Sequence, residues 1–173
     1  LEDFKDYCMQ ENLIPDGYKW MRALTAGKTF KDNIELNLYY DEAAHNYSAH
    51  GYIGLYKEKS IRAIGKLTKT VLAEEINGEM QFESESGGMV TESEKSAILE
   101  AVRRAEEYGY NLRTVRHRYF FVEQFYPTDF KKSSKNPIQK SKLFNLAEMR
   151  GYKTMPDTKK IASDLDGRTW EEF

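Results

Sequence analysis

The sequence has a single cysteine, Cys8, among its 173 residues, so no disulfide can form within the chain. A chain without disulfides suits a reducing compartment, and we therefore expect a cytoplasmic protein. No apolar run approaches the roughly 18 residues of a membrane span, and no signal peptide is apparent. Because the first residue is leucine rather than methionine, we expect the chain to be processed, tagged or excised from a longer protein, in which a neighbouring domain could carry the chemistry.

Two signatures of cofactor or metal chemistry are incomplete. The stretch AGKT at residues 26 to 29 resembles the end of a phosphate-binding loop, but Arg22 stands where that motif has its first glycine. His45 and His50 are five residues apart, a spacing that does not align two side chains on one helix face. No cysteine or carboxylate cluster completes a metal site around them. We therefore expect no metal and no cofactor.

Nucleophilic catalysis also has little support in the sequence. Cys8 falls in an expected terminal helix, Ser48 lacks the glycine pattern of a nucleophile elbow, and His117 opens an aromatic strand. A nuclease built from scattered acidic residues stays an alternative, although the acidic residues here cluster in a region that resembles a solvated surface. The sequence therefore favours a binding module over an enzyme, and we assign no catalytic residue.

Charge is distributed unevenly, although the net charge is only -2. Residues 71 to 107 contain ten acidic and three basic side chains, whereas residues 116 to 142 contain seven basic and two acidic ones. This asymmetry predicts a bipolar surface with a basic region for an anionic partner. The alternative is a solvated loop that is basic by chance.

The first half of the chain has the apolar patterns of short strands. Residues 34 to 40 alternate in hydrophobicity, which predicts a half-buried strand. Residues 52 to 56 and 61 to 67 flank the turn-compatible KEKS and predict a hairpin. Further strands are expected at residues 71 to 76 and 80 to 84. At least five strands in a curved or closed sheet should result, counting the aromatic strand described next.

The second half begins with a capping box, in which Thr91 and Glu94 can each satisfy a free backbone amide of the other. It predicts a helix over residues 92 to 108 that packs on the sheet. The aromatic run RYFFVEQFY should form a strand that ends before Pro127, because proline interrupts a central strand. An exposed loop rich in lysine and serine and a short helix over residues 142 to 150 should follow.

The order of a strand, YIGLYKEKSIRAIGKL, an acidic insert, a helix and RYFFVEQFYPTDFKK resembles the PUA-like superfold, which includes EVE and ASCH domains. The resemblance covers residues 34 to 146, and the glycine of IRAIGKL stands where the barrel of such domains closes. It implies a small β-barrel with flanking helices that binds nucleic acid or recognises a modified base, often joined to an effector domain. We accordingly expect an α+β fold with a strongly curved barrel or sheet.

The expected organisation has three parts. Residues 1 to 30 should form a helical extension, residues 31 to 150 the PUA-like domain, and residues 151 to 173 a tail packed on the barrel. The expected partner is DNA or RNA, with a modified or flipped base as its specific target. An effector or defence domain is the expected neighbour.

The candidate site combines tyrosine-rich strands with the basic segment, since a base stacked on an aromatic ring gains about 1 to 3 kcal/mol. The predicted pocket for a planar group consists of Tyr47, His50, Tyr52, Glu123 and Tyr126. The predicted phosphate-binding residues are Arg116, Arg118, Lys131, Lys132 and Lys135. His45 and His50 fit hydrogen-bonding roles in the loop before a strand better than metal binding. A protein-interaction or small-ligand sensor domain is the alternative function.

Overall fold

The computed structural model describes residues 16 to 173, and within them seven strands and four α-helices confirm the predicted α+β class. The strands are β1 (Trp20–Thr25), β2 (Leu38–Glu42), β3 (Tyr52–Lys57), β4 (Ser60–Ile76), β5 (Glu79–Ser86), β6 (His117–Lys131) and β7 (Ser141–Asn145). The helices are α1 (Phe30–Leu36), α2 (Glu92–Glu107), α3 (Leu146–Arg150) and α4 (Thr158–Leu165), with 3₁₀ helices at Asp16–Lys19 and Trp170–Glu172.

The strands form a mixed sheet in the order β2-β6-β4-β3-β1-β7, and β5 pairs with β4. β1 is parallel to β3 and antiparallel to β7. This order is an open path from β2 to β7, so the structure has a sheet rather than a closed barrel. The chain divides into two compact units: the described part of unit 1 is residues 16 to 27, 48 to 66 and 125 to 173, and unit 2 is residues 28 to 47 and 67 to 124.

Two tight turns connect the antiparallel strands on either side of β4. Glu58 and Lys59, between β3 and β4, have φ angles of 52° and 59°. Asn77 and Gly78, between β4 and β5, have φ angles of 53° and 81°. Two successive positive φ angles are typical of the hairpin turn whose twist matches that of the flanking strands. The predicted hairpin around KEKS is confirmed.

Unit 1 has a core rich in aromatic residues. Met21, Ile61 and Phe130 are completely buried there. The C-terminal segment, residues 151 to 173, adds Ile161 and Trp170 to this core. Burial of such large apolar side chains is worth about 1.5 to 3 kcal/mol each. The C-terminal segment therefore belongs to the core of unit 1.

Unit 2 is built around α2. The predicted capping box is present, because the Thr91 hydroxyl accepts from the Glu94 amide while the Glu94 carboxylate accepts from the Thr91 amide. Ile98 and Val102 of this helix are completely buried, in a cluster that also contains Tyr119. The helix predicted over residues 92 to 108 is thus confirmed within one residue.

The strand expected over residues 34 to 40 is wrong in its first half. Helix α1 extends to Leu36, and Asn37 ends it in the left-handed conformation with a φ angle of 54°. The side chain of the buried Asn33 donates to the backbone oxygen of Leu38 at 2.9 Å, which holds the end of the helix against the start of β2. Helix capping thus overrides an apolar alternation that is only a few residues long.

The expected end of the aromatic strand at Pro127 is also wrong, since β6 continues to Lys131. β2 pairs with residues 117 to 121 of β6, and Pro127 lies beyond that pairing. The missing N–H of Pro127 therefore removes no hydrogen bond between β2 and β6, and proline is tolerated at such strand edges.

The helix expected over residues 142 to 150 is shorter than predicted, because its first four residues belong to β7. The Asn145 side chain accepts from the Glu148 amide and starts α3 after the strand. Gly151, with a φ angle of 67°, ends the helix where predicted.

The predicted domain boundaries at residues 30 and 150 stay predictions. Residues 1 to 15, including Cys8, lie outside the described residues, and residues 20 to 25 of the expected helical extension form strand β1. No helix within residues 16 to 173 has the length and apolar composition needed to cross a membrane.

Candidate functional site

Unit 1 contains a cleft of about 510 Å³ at the edge of the sheet where β7 pairs with β1. Its volume lies in the range of about 300 to 1,000 Å³ that is usual for small-molecule sites. The cleft is lined by Trp20, Lys142, Leu143, Phe144, Asn145, Glu148, Met149, Trp170 and Phe173. The sequence contains two tryptophans, and both line this cleft.

The aromatic wall of the cleft is held rigidly by the core of unit 1. Trp170 Nε1 donates to the backbone oxygen of Phe130 at 2.8 Å, which fixes the orientation of the indole. The Trp170 ring packs edge-on against Phe144 at 4.9 Å between centroids and lies 5.6 Å from the ring of Tyr56. Such pairs add about 0.5 to 1.5 kcal/mol beyond their buried area. The wall is therefore preorganised.

Cations lie beside these rings. Lys142 Nζ is 5.2 Å from the centroid of Phe144 and 5.3 Å from that of Trp170. The guanidinium carbons of Arg150 and Arg168 lie 5.7 Å and 5.8 Å from the centroid of Phe173. A cation held over an aromatic face is attracted by the ring and can still bind an anion. The combination suits a planar ligand that carries negative charge.

Polar groups complete the lining of the cleft. Asn145 Nδ2 donates to Glu148 Oε2 at 3.3 Å, and Asn145 Oδ1 accepts from the Glu148 amide at 3.1 Å. An amide and a carboxylate provide donors and acceptors that can distinguish the edges of planar rings. The cleft can therefore combine stacking, charge and edge recognition.

The predicted pocket residues lie elsewhere. Tyr52 is only 3% exposed, packs in the core of unit 1 and does not line the cleft. Tyr126 is partly buried against the same core. Tyr47 and Glu123 belong to unit 2, and there the Tyr47 hydroxyl donates to Asp41. His50 belongs to unit 1, and none of these five residues lines the described cleft.

Both histidines make hydrogen-bond contacts in or next to the loops that carry them. His50 Nδ1 lies 3.0 Å from the backbone oxygen of Ser48, and burial lowers the pKa of His50 below its usual value. His45 Nδ1 lies 3.0 Å from Asp41 Oδ2. Within residues 16 to 173, no group of three His, Cys, Asp or Glu side chains has an arrangement that could hold a metal ion.

The two predicted phosphate-binding arginines are engaged by carboxylates within unit 2. Arg118 makes a bidentate pair with Glu85, with N–O distances of 2.8 Å and 3.0 Å, and this pairing holds the pKa of Glu85 below its usual value. Arg116 pairs with Glu83 and lies 3.8 Å from Glu74. A phosphate would have to compete with these carboxylates. The acidic segment, residues 71 to 107, thus neutralises two cations of the basic segment, residues 116 to 142. The charge separation is therefore smaller than predicted.

The three predicted lysines of the basic loop are more accessible. Lys131 and Lys135 are exposed, and Lys132 is half-buried. Lys131 Nζ lies 3.4 Å from Asp129 Oδ2, while Lys132 Nζ donates to the Ser134 hydroxyl. All three belong to unit 1, which also contains the cleft. They stay predicted phosphate contacts.

Sequence reasoning missed the six cleft residues that offer rings or charge: Trp20, Lys142, Phe144, Glu148, Trp170 and Phe173. Trp20 and Phe173 are separated by most of the chain, so no local spacing could join them. The available signal was the aromatic pair in the polar tail RTWEEF, because a polar tail has no local need for a tryptophan.

No family model matches the sequence, and no curated protein matches it. A solved structure similar to this chain is described as the crystal structure of a mutant of the ZmASCH protein from Zymomonas mobilis. The two chains are 14% identical, the match covers 80% of this chain and 96% of that chain, and the TM-score is 0.47.

Proposed function

We propose that this protein binds single-stranded nucleic acid, with one base in the cleft of unit 1 and the phosphate backbone along the basic loop. The observation that carries this proposal is the position of Lys142 beside the rings of Phe144 and Trp170 in a cleft of about 510 Å³. Stacking on aromatic rings combined with cations along the backbone is how proteins hold single strands. The proposal covers RNA and DNA alike.

Edge recognition extends the proposal to a particular base. Asn145 and Glu148 line the cleft beside the aromatic wall and offer amide and carboxylate groups. Proteins read unstacked bases through hydrogen bonds to their edges. We therefore include a modified base as the specific target, and a base flipped from a duplex stays the alternative for a double-stranded partner. An effector or defence domain joined to this module stays a prediction.

The phosphate part of the proposal is tested by replacing Lys131, Lys132 and Lys135 together with alanine. Binding of a labelled single strand of about 12 nucleotides should weaken. The slope of log affinity against log salt should flatten by up to about three, because each lost phosphate contact removes roughly one. Fluorescence anisotropy over a series of salt concentrations measures both quantities.

A matched control removes the same charge outside the basic loop, at the exposed residues Lys31, Lys153 and Lys159. This control should keep the salt slope of the parent. If the loop variant and the control give the same slope as the parent, the basic loop is only a solvated surface. A parent protein without any salt-dependent affinity for the strand would favour the interaction or small-ligand sensor function instead.

A further inference from the structure

The carboxylate of Glu171 is held by the basic loop of unit 1 through three donors. Ser133 donates to Glu171 Oε2 through its backbone N–H at 3.0 Å and its hydroxyl at 2.6 Å. Ser134 donates its backbone N–H to Glu171 Oε1 at 2.9 Å. These hydrogen bonds, with that of the Ser133 hydroxyl the strongest cause, hold the pKa of Glu171 far below its usual value. The loop therefore binds an anionic group in this conformation.

The same donors match a phosphate group. Successive backbone N–H groups that point to one place form an anion-binding concavity, and phosphate and carboxylate oxygens accept such bonds alike. Lysines surround this concavity in the sequence, with Lys132 before the two serines and Lys135 after them. Lys132 Nζ donates to the Ser134 hydroxyl, which keeps its positive charge beside the concavity. The loop thus offers both directed donors and charge.

We propose that the backbone amides of Ser133 and Ser134 bind a phosphate of the nucleic-acid strand, and that Glu171 occupies this site as an internal competitor when no strand is bound. The proposal rests on the proposed function and adds one defined phosphate site and its competitor to it. Glu171 is exposed, so its carboxylate can move into water without the penalty that attends a buried charge. Trp170 stays anchored by Phe130 when Glu171 leaves.

Displacement of Glu171 also affects the cleft, because Glu171 lies in sequence between Trp170 and Phe173, which both line the cleft. Trp170 is 4% exposed, whereas Phe173 is 44% exposed and therefore the freer of the two. Release of Glu171 removes one tether of the segment that carries Phe173. Phosphate binding at the loop and adjustment of the Phe173 ring to a base are thereby linked.

The test compares Glu171→Ala with the parent and with Glu172→Ala as the matched control. Glu172 carries the same charge in the same 3₁₀ helix, and its carboxylate accepts from the Thr169 amide at 2.6 Å. The labelled strand of about 12 nucleotides should bind about 3 to 10 times more tightly to Glu171→Ala than to Glu172→Ala, since only the first variant removes the competitor. Equal affinities of the two variants would overturn the proposal, because loss of charge or loosening of the tail would then explain any change.

A second probe separates this proposal from the proposed function. Pyrophosphate added to ¹⁵N-labelled protein should shift the amide resonances of Ser133 and Ser134 in Glu171→Ala at concentrations that leave the parent unchanged. If the strand binds no variant but these shifts occur, the anion site stands and the proposed function fails. If the strand binds the parent but neither the shifts nor the gain in affinity occurs, the competitor proposal fails alone. Glu171→Gln keeps a polar side chain of the same size and is a second variant in case the alanine variant misfolds. Its affinity for the strand and the pyrophosphate shifts of Ser133 and Ser134 should change in the same direction as in Glu171→Ala.

Discussion

Replacing Trp170 with alanine is expected to lower the free energy of unfolding by about 3 to 5 kcal/mol, the usual loss for a buried tryptophan. The side chain is 4% exposed and packs on Phe144 and Tyr56. The substitution also leaves the backbone oxygen of Phe130 without the donor that now lies 2.8 Å from it. Urea unfolding followed by far-UV circular dichroism measures the loss.

Trp170→Phe is the control for this change, because it keeps an aromatic ring and removes only the N–H donor and part of the volume. Its loss should be smaller than that of the alanine variant. A loss below about 1.5 kcal/mol for Trp170→Ala would mean that the C-terminal segment is not part of the core of unit 1. The cleft would then lack the rigid wall on which the proposed function depends.

Replacing Lys142 and Phe173 together with alanine is expected to weaken binding of a single strand by about 10 to 100 times. Loss of one stacking ring accounts for about 1 to 3 kcal/mol, and each tenfold change in affinity corresponds to about 1.4 kcal/mol. Lys142 and Phe173 are both exposed, so the fold should survive the double substitution. Anisotropy titration at one fixed salt concentration measures the affinity.

Unit 2 offers a control made of the same two residue types. Lys95 Nζ lies 5.8 Å from the ring centroid of Phe82, so the chain contains a second pair of lysine and phenylalanine. Replacing Lys95 and Phe82 with alanine removes the same charge and the same ring outside the cleft. If this control weakens binding as much as the cleft variant does, the effect is not specific to the cleft.

The fold was predictable where neighbouring residues determine the local structure. The turn at Glu58 and Lys59 and the capping box at Thr91 each depend on a few adjacent residues, and both were predicted correctly. The alternation before Asn37 was misread because a short apolar pattern cannot distinguish the end of a helix from the start of a strand. The effect of Pro127 was misread, because a strand tolerates proline where its neighbour no longer pairs with it. The local sequence does not show where β2 stops pairing with β6.

The candidate site was less predictable, because its residues meet only in the folded chain. Aromatic rings beside cations were predicted on the tyrosine-rich strands, and that site stays a prediction, whereas the cleft that combines rings and cations lies at Lys142, Phe144 and Trp170. Tyr52 begins the continuous apolar run YIGLY of β3, whose residues are all buried, and such a run indicates a fully buried strand rather than a displayed ring. Pairing of Arg118 with Glu85 joins residues 33 positions apart, which charge counting along the sequence cannot show.

The most direct test of base binding in the cleft is a tryptophan fluorescence titration of the unmodified protein. Both tryptophans line the cleft, so their emission reports on that site. Two strands of about 12 nucleotides are compared, one with bases and one abasic strand of the same charge. The strand with bases should change the emission and bind about 10 times more tightly, or more, because only it can stack. Equal affinity for both strands, with unchanged emission, would contradict base binding in the cleft and leave only attraction between charges.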